Sequence, residues 1–172
     1  MGIRADIKPL PSLDRLNELF VYDAASGDLR WKTIPQHFKR AKVGDLVGAI
    51  GAKGYRVVGI ARVYYLVHRI IWKMVTGSDP VDQIDHIDGD RLNNRWANFR
   101  PISNGQNIWN SKLRKDNALG VKGVHLKRGR YRAVLSGNGK QKHIGCFATL
   151  EEAAAAWRSA ASKQRGQYYR EA

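Results

Sequence analysis

Ile84-Asp85-His86-Ile87-Asp88-Gly89-Asp90 is the stretch on which the reading of this 172-residue chain turns, together with Asn93-Asn94-Arg95, Asn98-Phe99-Arg100 and Asn107 downstream. Ile84 to Arg100 predicts two short strands around a long polar loop, with Asp88-Gly89-Asp90 in the loop. Ser103-Asn104-Gly105-Gln106 is a Ser-x-x-Gln capping box, so a helix is expected from there to about Leu113. A β-β-α order can bring Asp85, His86 and Asn107 together. These are the residue types that phosphodiester hydrolysis needs. A histidine titrates near neutrality and can take a proton from water. Asp and Asn oxygens suit a hard divalent cation, which in turn stabilises charge on phosphate. Neighbouring residues of a flat strand point to opposite sides, so Asp85 and His86 need a bulge or a strand end between them and a common target. Asp88 and Asp90 read as turn formers, because the ligand spacing of a calcium loop is missing.

Upstream of this stretch, Val67, Ile70, Ile71, Met74 and Val75 fall at helical spacing, and Gly77 ends the run. Tyr55–Ile60 and Val63–Val67 predict a hairpin turning at Ala61-Arg62. Asp14–Phe20 predicts a short helix, Asp23 to Asp28 a turn, and Leu29–Lys32 a strand. Residues 33–45, with His37 and the basic Lys39-Arg40-Lys42, read as a solvated loop, and residues 1–13 as a loose arm. His68 reads as a core histidine, and Trp31, Trp72, Trp96, Trp109 and Trp157 as core rather than as base-stacking groups. Downstream, Gly123–Leu126, Tyr131–Ser136 and Lys142–Phe147 predict three strands. Thr149-Leu-Glu-Glu152 caps an Ala-rich helix that ends at Gly166. The fold class is α+β. A small hairpin-and-helix lead-in occupies 1–54, a ββα domain 55–113, a basic linker 114–122, and a three-stranded sheet with one helix 123–172.

Charge points to a polyanion. The chain holds 30 Lys+Arg against 15 Asp+Glu, a net charge of +15. Residues 1–80 carry +6, residues 81–110 carry −1, and residues 111–172 carry +10. An acidic, Asn-rich island between basic flanks suits a nuclease better than a plain binding protein, because carboxylates repel phosphate unless a cation intervenes. The single cysteine, Cys146, excludes an intrachain disulfide framework and a Cys-rich zinc site. No apolar run is long enough to span a membrane, and residues 1–13 lack the apolar core of a secretory signal. A protein of the cytoplasm, in a bacterial or phage-infected host cell, is expected. No basic amphipathic helix with a large apolar face argues for a membrane surface, and the aromatic motif of RRM-type RNA binders is absent.

The pattern resembles the HNH (ββα-metal) endonucleases of the phage and homing type. The resemblance rests on His68-Arg69-Ile70-Ile71-Trp72, Asp85 to Gly89, Asn93-Asn94-Arg95, Asn98-Phe99-Arg100 and Asn107, over about residues 55–110. Phe99 replaces the usual Leu. The lead-in Tyr22-Asp23-x-x-Ser26-Gly27-Asp28-Leu29-Arg30-Trp31-Lys32 also recurs in such phage proteins. The resemblance implies His86 as general base, Asp85 and Asn107 as ligands of one Mg²⁺ or Mn²⁺, and Asn98 as the brace of the loop that positions His86. No structural zinc is expected, since the cysteine pairs of some relatives are missing. Residues 123–172 resemble the AP2 DNA-binding domain, in which the sheet enters the major groove. That likeness implies Lys122, His125, Lys127, Arg130, Arg132 and Lys142 as contacts to double-stranded DNA. A non-catalytic DNA-binding regulator that keeps the fold is the alternative. Nothing in the sequence indicates a protein partner or a homodimer.

Overall fold

The computed structural model describes residues 8–168 apart from 37, 104, 106–112, 114–116 and 138–139. The chain divides into two compact units, Met1–Pro101 and Ile102–Ala172. Both are mixtures of short helices and small sheets, so the α+β class holds. The helix expected from Ser103 to Leu113, with Trp109, lies almost entirely outside the described residues, as does His37.

In the first unit, α1 (Leu13–Leu19) begins where the Ser12 hydroxyl accepts from the Arg15 amide, and it buries Leu16 and Leu19. The chain passes at once into β1 (Phe20–Asp23), which pairs antiparallel with β2 (Asp28–Trp31). The strand β1 departs from the sequence expectation, in which Phe20 ends the helix and no strand precedes the Asp23–Asp28 turn. A three-stranded sheet follows in the order β3 (Ala49–Ile50), β4 (Arg56–Ile60), β5 (Val63–Leu66). Its β4–β5 turn sits at Ala61 and Arg62, with φ of 48° and 65°. Positive φ at both central residues gives the turn a twist that matches the flanking strands. α2 (Val67–Thr76) buries Val67, His68, Ile70 and Ile71 and stops at Gly77, left-handed at φ 78°. The strands β6 (Gln83–His86) and β7 (Phe99–Ile102) then form a two-stranded sheet. One core is shared by residues on both sides of position 54. Leu16, Leu19, Phe20, Leu29, Trp31 and Val47 pack in a single cluster with Val58, Val67, Ile70, Ile71, Ile84 and Phe99.

In the second unit, β8 (Val124–Lys127), β9 (Arg130–Gly137) and β10 (Lys140–Phe147) form an antiparallel sheet with β9 in the centre. Val124 and Gly145 flank Ala133 in register, and His125 and Cys146 flank Arg132, with a bulge between His143 and Gly145. Alternation therefore sends Val124, Ala133 and Leu135 to the core, and His125, Lys127, Arg130, Arg132 and His143 to the other face. α3 (Leu150–Arg165) starts in a complete capping box, Thr149 with Glu152, as the sequence predicts. Its small face of Ala153 and Ala161 lets the helix approach the sheet closely, with Trp157 between them. The Trp157 indole donates to the Val134 carbonyl at 3.1 Å. Gly123 has no room for a side chain: a Cβ there would stand 2.1 Å from Trp157 Nε1 and 2.5 Å from the Val134 oxygen. Among the described residues, no helix is long and apolar enough to cross a membrane.

Candidate active site and basic sheet face

His86 is the last residue of β6, and the chain turns away immediately through Asp88 and Gly89 (φ 82°). The turn is built by side chains folding back on backbone. Asp88 Oδ1 accepts from the Asp90 amide at 2.8 Å, and Asp90 Oδ1 from the Leu92 amide at 2.9 Å. Buried Asn98 ties the two ends of this loop together. Its Oδ1 accepts from the Asp88 amide (3.0 Å), and its Nδ2 donates to Asp88 Oδ1 (2.9 Å) and the Asn93 carbonyl (2.8 Å). Asn93 Nδ2 donates to Asp88 Oδ2 at 2.6 Å. Burial alone raises the Asp88 carboxyl. The donors on Asn98, Asn93 and the Asp90 backbone more than offset it, so the group sits below its ordinary value.

The His86 ring is 3% exposed and enclosed by rings. His68 and Phe99 stand edge-on at centroid distances of 5.2 Å each, and Tyr55 lies at 5.8 Å. Its polar contact is Nε2 with Asn94 Oδ1, at 3.2 Å. An amide oxygen only accepts, so Nε2 carries the proton and Nδ1 keeps its lone pair. Burial pushes the His86 pKa below its usual value, although Asn94 and the nearby Asp88, Asp85 and Asp90 pull the other way. Burial also drives the pKa of His68 down to about 3, with help from neighbouring His86 and Arg69. Both rings are therefore neutral at neutral pH, the state a proton acceptor requires.

Asp85 faces a different neighbourhood. Arg100 Nε and Nη2 reach its Oδ2 at 3.0 and 2.7 Å, and both side chains are nearly covered. Asn107 lies outside the described residues, so the geometry here concerns Asp85, His86 and Asn98. Among the described residues, no group of three or more His, Cys, Asp or Glu side chains is placed to hold a metal. Sequence reasoning named Asn94 and Arg100 within their motifs but gave neither a role. The Asn-Asn-Arg run carried a signal for Asn94, since only one of two adjacent Asn residues can face inward. Tyr55 carried none.

In the second unit, His125, Lys127, Arg130 and Arg132 share the outward sheet face. Arg128, at φ 52°, stands at the β8–β9 turn beside them. Lys127, Arg128, Arg130 and Arg132 line a shallow hollow of about 400 Å³ with His143 and Cys146. Arg130 Nη2 donates to the Cys146 carbonyl at 3.3 Å, and Cys146 Sγ lies 3.6 Å from His143 Nε2. Arg132 Nε is buried and has no hydrogen-bond partner among the described residues. Lys142 pairs with Leu135, and so stands on the helix-facing side of the sheet rather than with the others. Lys122 lies near Arg165 of α3, and burial followed by that positive neighbour lowers its pKa.

Residues 65–107 match the family model described as HNH endonuclease, so the chain carries an HNH endonuclease domain there. Over 95 residues it is 34% identical to Protein 3.8 of Escherichia phage T7, a match spanning 54% of this chain and 78% of that protein. The chain belongs to the family of that phage protein. No solved structure matches it.

Proposed function

We propose that this protein is a metal-dependent DNA endonuclease in which His86 is the general base. The observation that carries the reading is the His86–Asn94 contact: a neutral imidazole, adjacent in sequence to a carboxylate, whose Nε2 proton is engaged and whose Nδ1 is left able to accept one. His86 takes a proton from water, and the oxygen so activated attacks phosphorus. The 3′-oxygen leaves, giving 5′-phosphate and 3′-hydroxyl ends. Asn98 acts as a positioning residue, holding the 88–93 loop behind His86. Asp85 and Asn107 are the proposed ligands of Mg²⁺ or Mn²⁺. One carboxylate and one amide oxygen fit such an ion, which keeps much of its shell for water and phosphate. The chemistry a bound cation supplies is neutralisation of charge on the phosphate and the leaving oxygen. Arg100 keeps the Asp85 carboxylate oriented.

The domain at residues 123–172, preceded by the basic linker at 114–122, is proposed to bind duplex DNA through its AP2-like sheet. Contacts are assigned to Lys122, His125, Lys127, Arg130 and Arg132, with Lys142, on the other side of the sheet, contributing less. One HNH centre per chain makes nicking the expected product. The test is supercoiled plasmid with Mg²⁺, Mn²⁺ or EDTA, at low salt, with His86→Ala alongside. Open-circle product that requires metal and His86 supports the reading. DNA bound but uncut under every metal would make the protein a non-catalytic regulator.

A further inference from the structure

The lead-in motif Tyr22-Asp23-x-x-Ser26-Gly27-Asp28 has no part in the chemistry above, yet its turn meets the chain directly behind His86. The turn is internally fastened. Asp23 Oδ1 accepts from the Ala25 amide (2.9 Å), Asp23 Oδ2 from the Ser26 hydroxyl (2.7 Å), and the Asp23 carbonyl from the Gly27 amide (2.8 Å). The Ser26 hydroxyl in turn accepts from the Asp28 amide at 3.2 Å. Three contacts then join this rigid turn to residues 94–95. The Tyr22 hydroxyl donates to the Asn94 carbonyl at 2.9 Å. Arg95 Nε donates to the Ala25 carbonyl at 2.8 Å. Gly27, at φ 82°, lies so close that a Cβ would stand 2.5 Å from the Arg95 nitrogen and 2.7 Å from the Asn94 carbonyl carbon. Those are backbone atoms, which cannot rotate aside. Asn94 is the residue whose side chain engages His86 Nε2, and it is 4% exposed.

We infer that the Tyr22–Asp28 turn is a positioning element for His86: it fixes the Asn94 backbone so that Oδ1 holds the imidazole proton on Nε2 and reserves Nδ1 for the reaction. The geometry argues for this over a merely structural role. The φ of Gly27 belongs to the turn itself, but linking β1 and β2 requires neither the close approach to the Asn94–Arg95 peptide nor a tyrosine hydroxyl reaching 72 positions along the chain. Asp23, Ser26 and Gly27 build the turn, while Tyr22, Gly27 and the Ala25 carbonyl present it to residues 94–95. The assignment rests on the reading of His86 as the base, but the tautomer it dictates is observable without any catalysis.

The experiment uses the full chain, nitrogen-15 labelled and metal-free, with the protonated nitrogen of His86 read by long-range proton–nitrogen correlation. The wild type is expected to show one tautomer, with the proton on Nε2. Tyr22→Phe keeps the ring and removes one hydrogen bond. It should yield a mixture of tautomers and a roughly fivefold slower cut at saturating plasmid, the rate equivalent of one neutral hydrogen bond. Gly27→Ala should do both more strongly, and its circular dichroism melt shows whether it folds. Asn94→Asp, which keeps an acceptor oxygen, should retain the Nε2–H tautomer, whereas Asn94→Ala should lose it. A His86 spectrum that is the same in wild type, Tyr22→Phe and a folded Gly27→Ala overturns the inference. A wild type that cuts no DNA, with tautomers responding as described, leaves the brace standing and removes the nuclease reading instead.

Discussion

The loop behind His86 and the outward face of the β8–β10 sheet treat polar groups in opposite ways. Around His86 the polar side chains are buried and matched. Asn98 makes three hydrogen bonds, Asn94 one to the ring, and Arg100 two to Asp85. On the sheet face, cationic side chains crowd a shallow hollow, and their described bonds are few: Arg130 to one carbonyl, and a buried Arg132 Nε with no partner among the described residues. The first arrangement fixes the geometry of a few atoms before any substrate arrives. The second leaves donors to be satisfied by whatever polyanion arrives. Chemistry that depends on position and affinity that depends on charge are thus built by different means in one chain.

Acid should separate the two regions most strongly. His68 is neutral in the folded state down to about pH 3, whereas an unfolded histidine takes a proton near 6.5. Above 6.5 both states are neutral and nothing is lost. Below it only the unfolded chain gains the proton, so stability falls with falling pH, by at most roughly 5 kcal/mol on reaching pH 3. His86 shifts in the same direction and adds to the loss. Urea unfolding at pH 7.5 and 4.5, in wild type and His68→Asn, isolates this contribution from the carboxylates. Equal pH dependence in both proteins would show that His68 is not held neutral.

The next largest effect is expected on the rate of cutting. His86→Ala should lower cleavage by on the order of a hundredfold or more, the usual contribution of a positioned base, with plasmid affinity unchanged. Loss of affinity in parallel with rate would erase the division of labour between the two regions.

Much of this organisation was legible in the sequence. The α2 run from Val67 shows helical periodicity, the Ala61-Arg62 turn separates two β-rich stretches, and the Thr149–Glu152 box marks where α3 begins. Asp88 and Asp90 were readable as turn formers because their preference is local. What sequence could not supply was contact across distance. Nothing within residues 20–31 says that Tyr22 and Gly27 meet residues 94–95, and Asn94 and Arg100 took their roles only when a partner came into reach. The shared core across position 54 is of the same kind. Each half of it reads as a plausible element by itself, and only packing joins Trp31 and Val47 to Ile70 and Ile84. Lys142 illustrates how a register is hidden: the bulge at Ile144 changes which residues of β10 share a face.

A smaller effect is expected at Gly123. Its φ is 66°, and an added Cβ would collide with the Trp157 indole and the Val134 carbonyl, the two groups that bond each other. Gly123→Ala should destabilise the second unit by about 2 kcal/mol or more, through left-handed strain and loss of the Trp157 hydrogen bond. Trp157 fluorescence in a thermal melt reads this directly. His86 should keep its tautomer in the same variant, since the residues that fix it all belong to the first unit. A melt unchanged by the substitution would mean that the close approach of α3 to the sheet does not depend on Gly123.

The smallest expected effect concerns which cations meet DNA. Arg132 lies at the centre of the outward face, flanked in register by His125 and Cys146, while Lys142 opposes Leu135 on the helix side. Counterion release makes each phosphate contact worth about one unit of the slope of log affinity against log salt. Arg132→Ala should therefore weaken plasmid binding several-fold and reduce that slope by about one. Lys142→Ala should do less on both counts, although it removes the same charge. Equal losses from the two variants would mean that DNA responds to the net charge of the unit and not to one face of its sheet. A larger loss from Lys142→Ala would place the contact surface on the side where α3 packs.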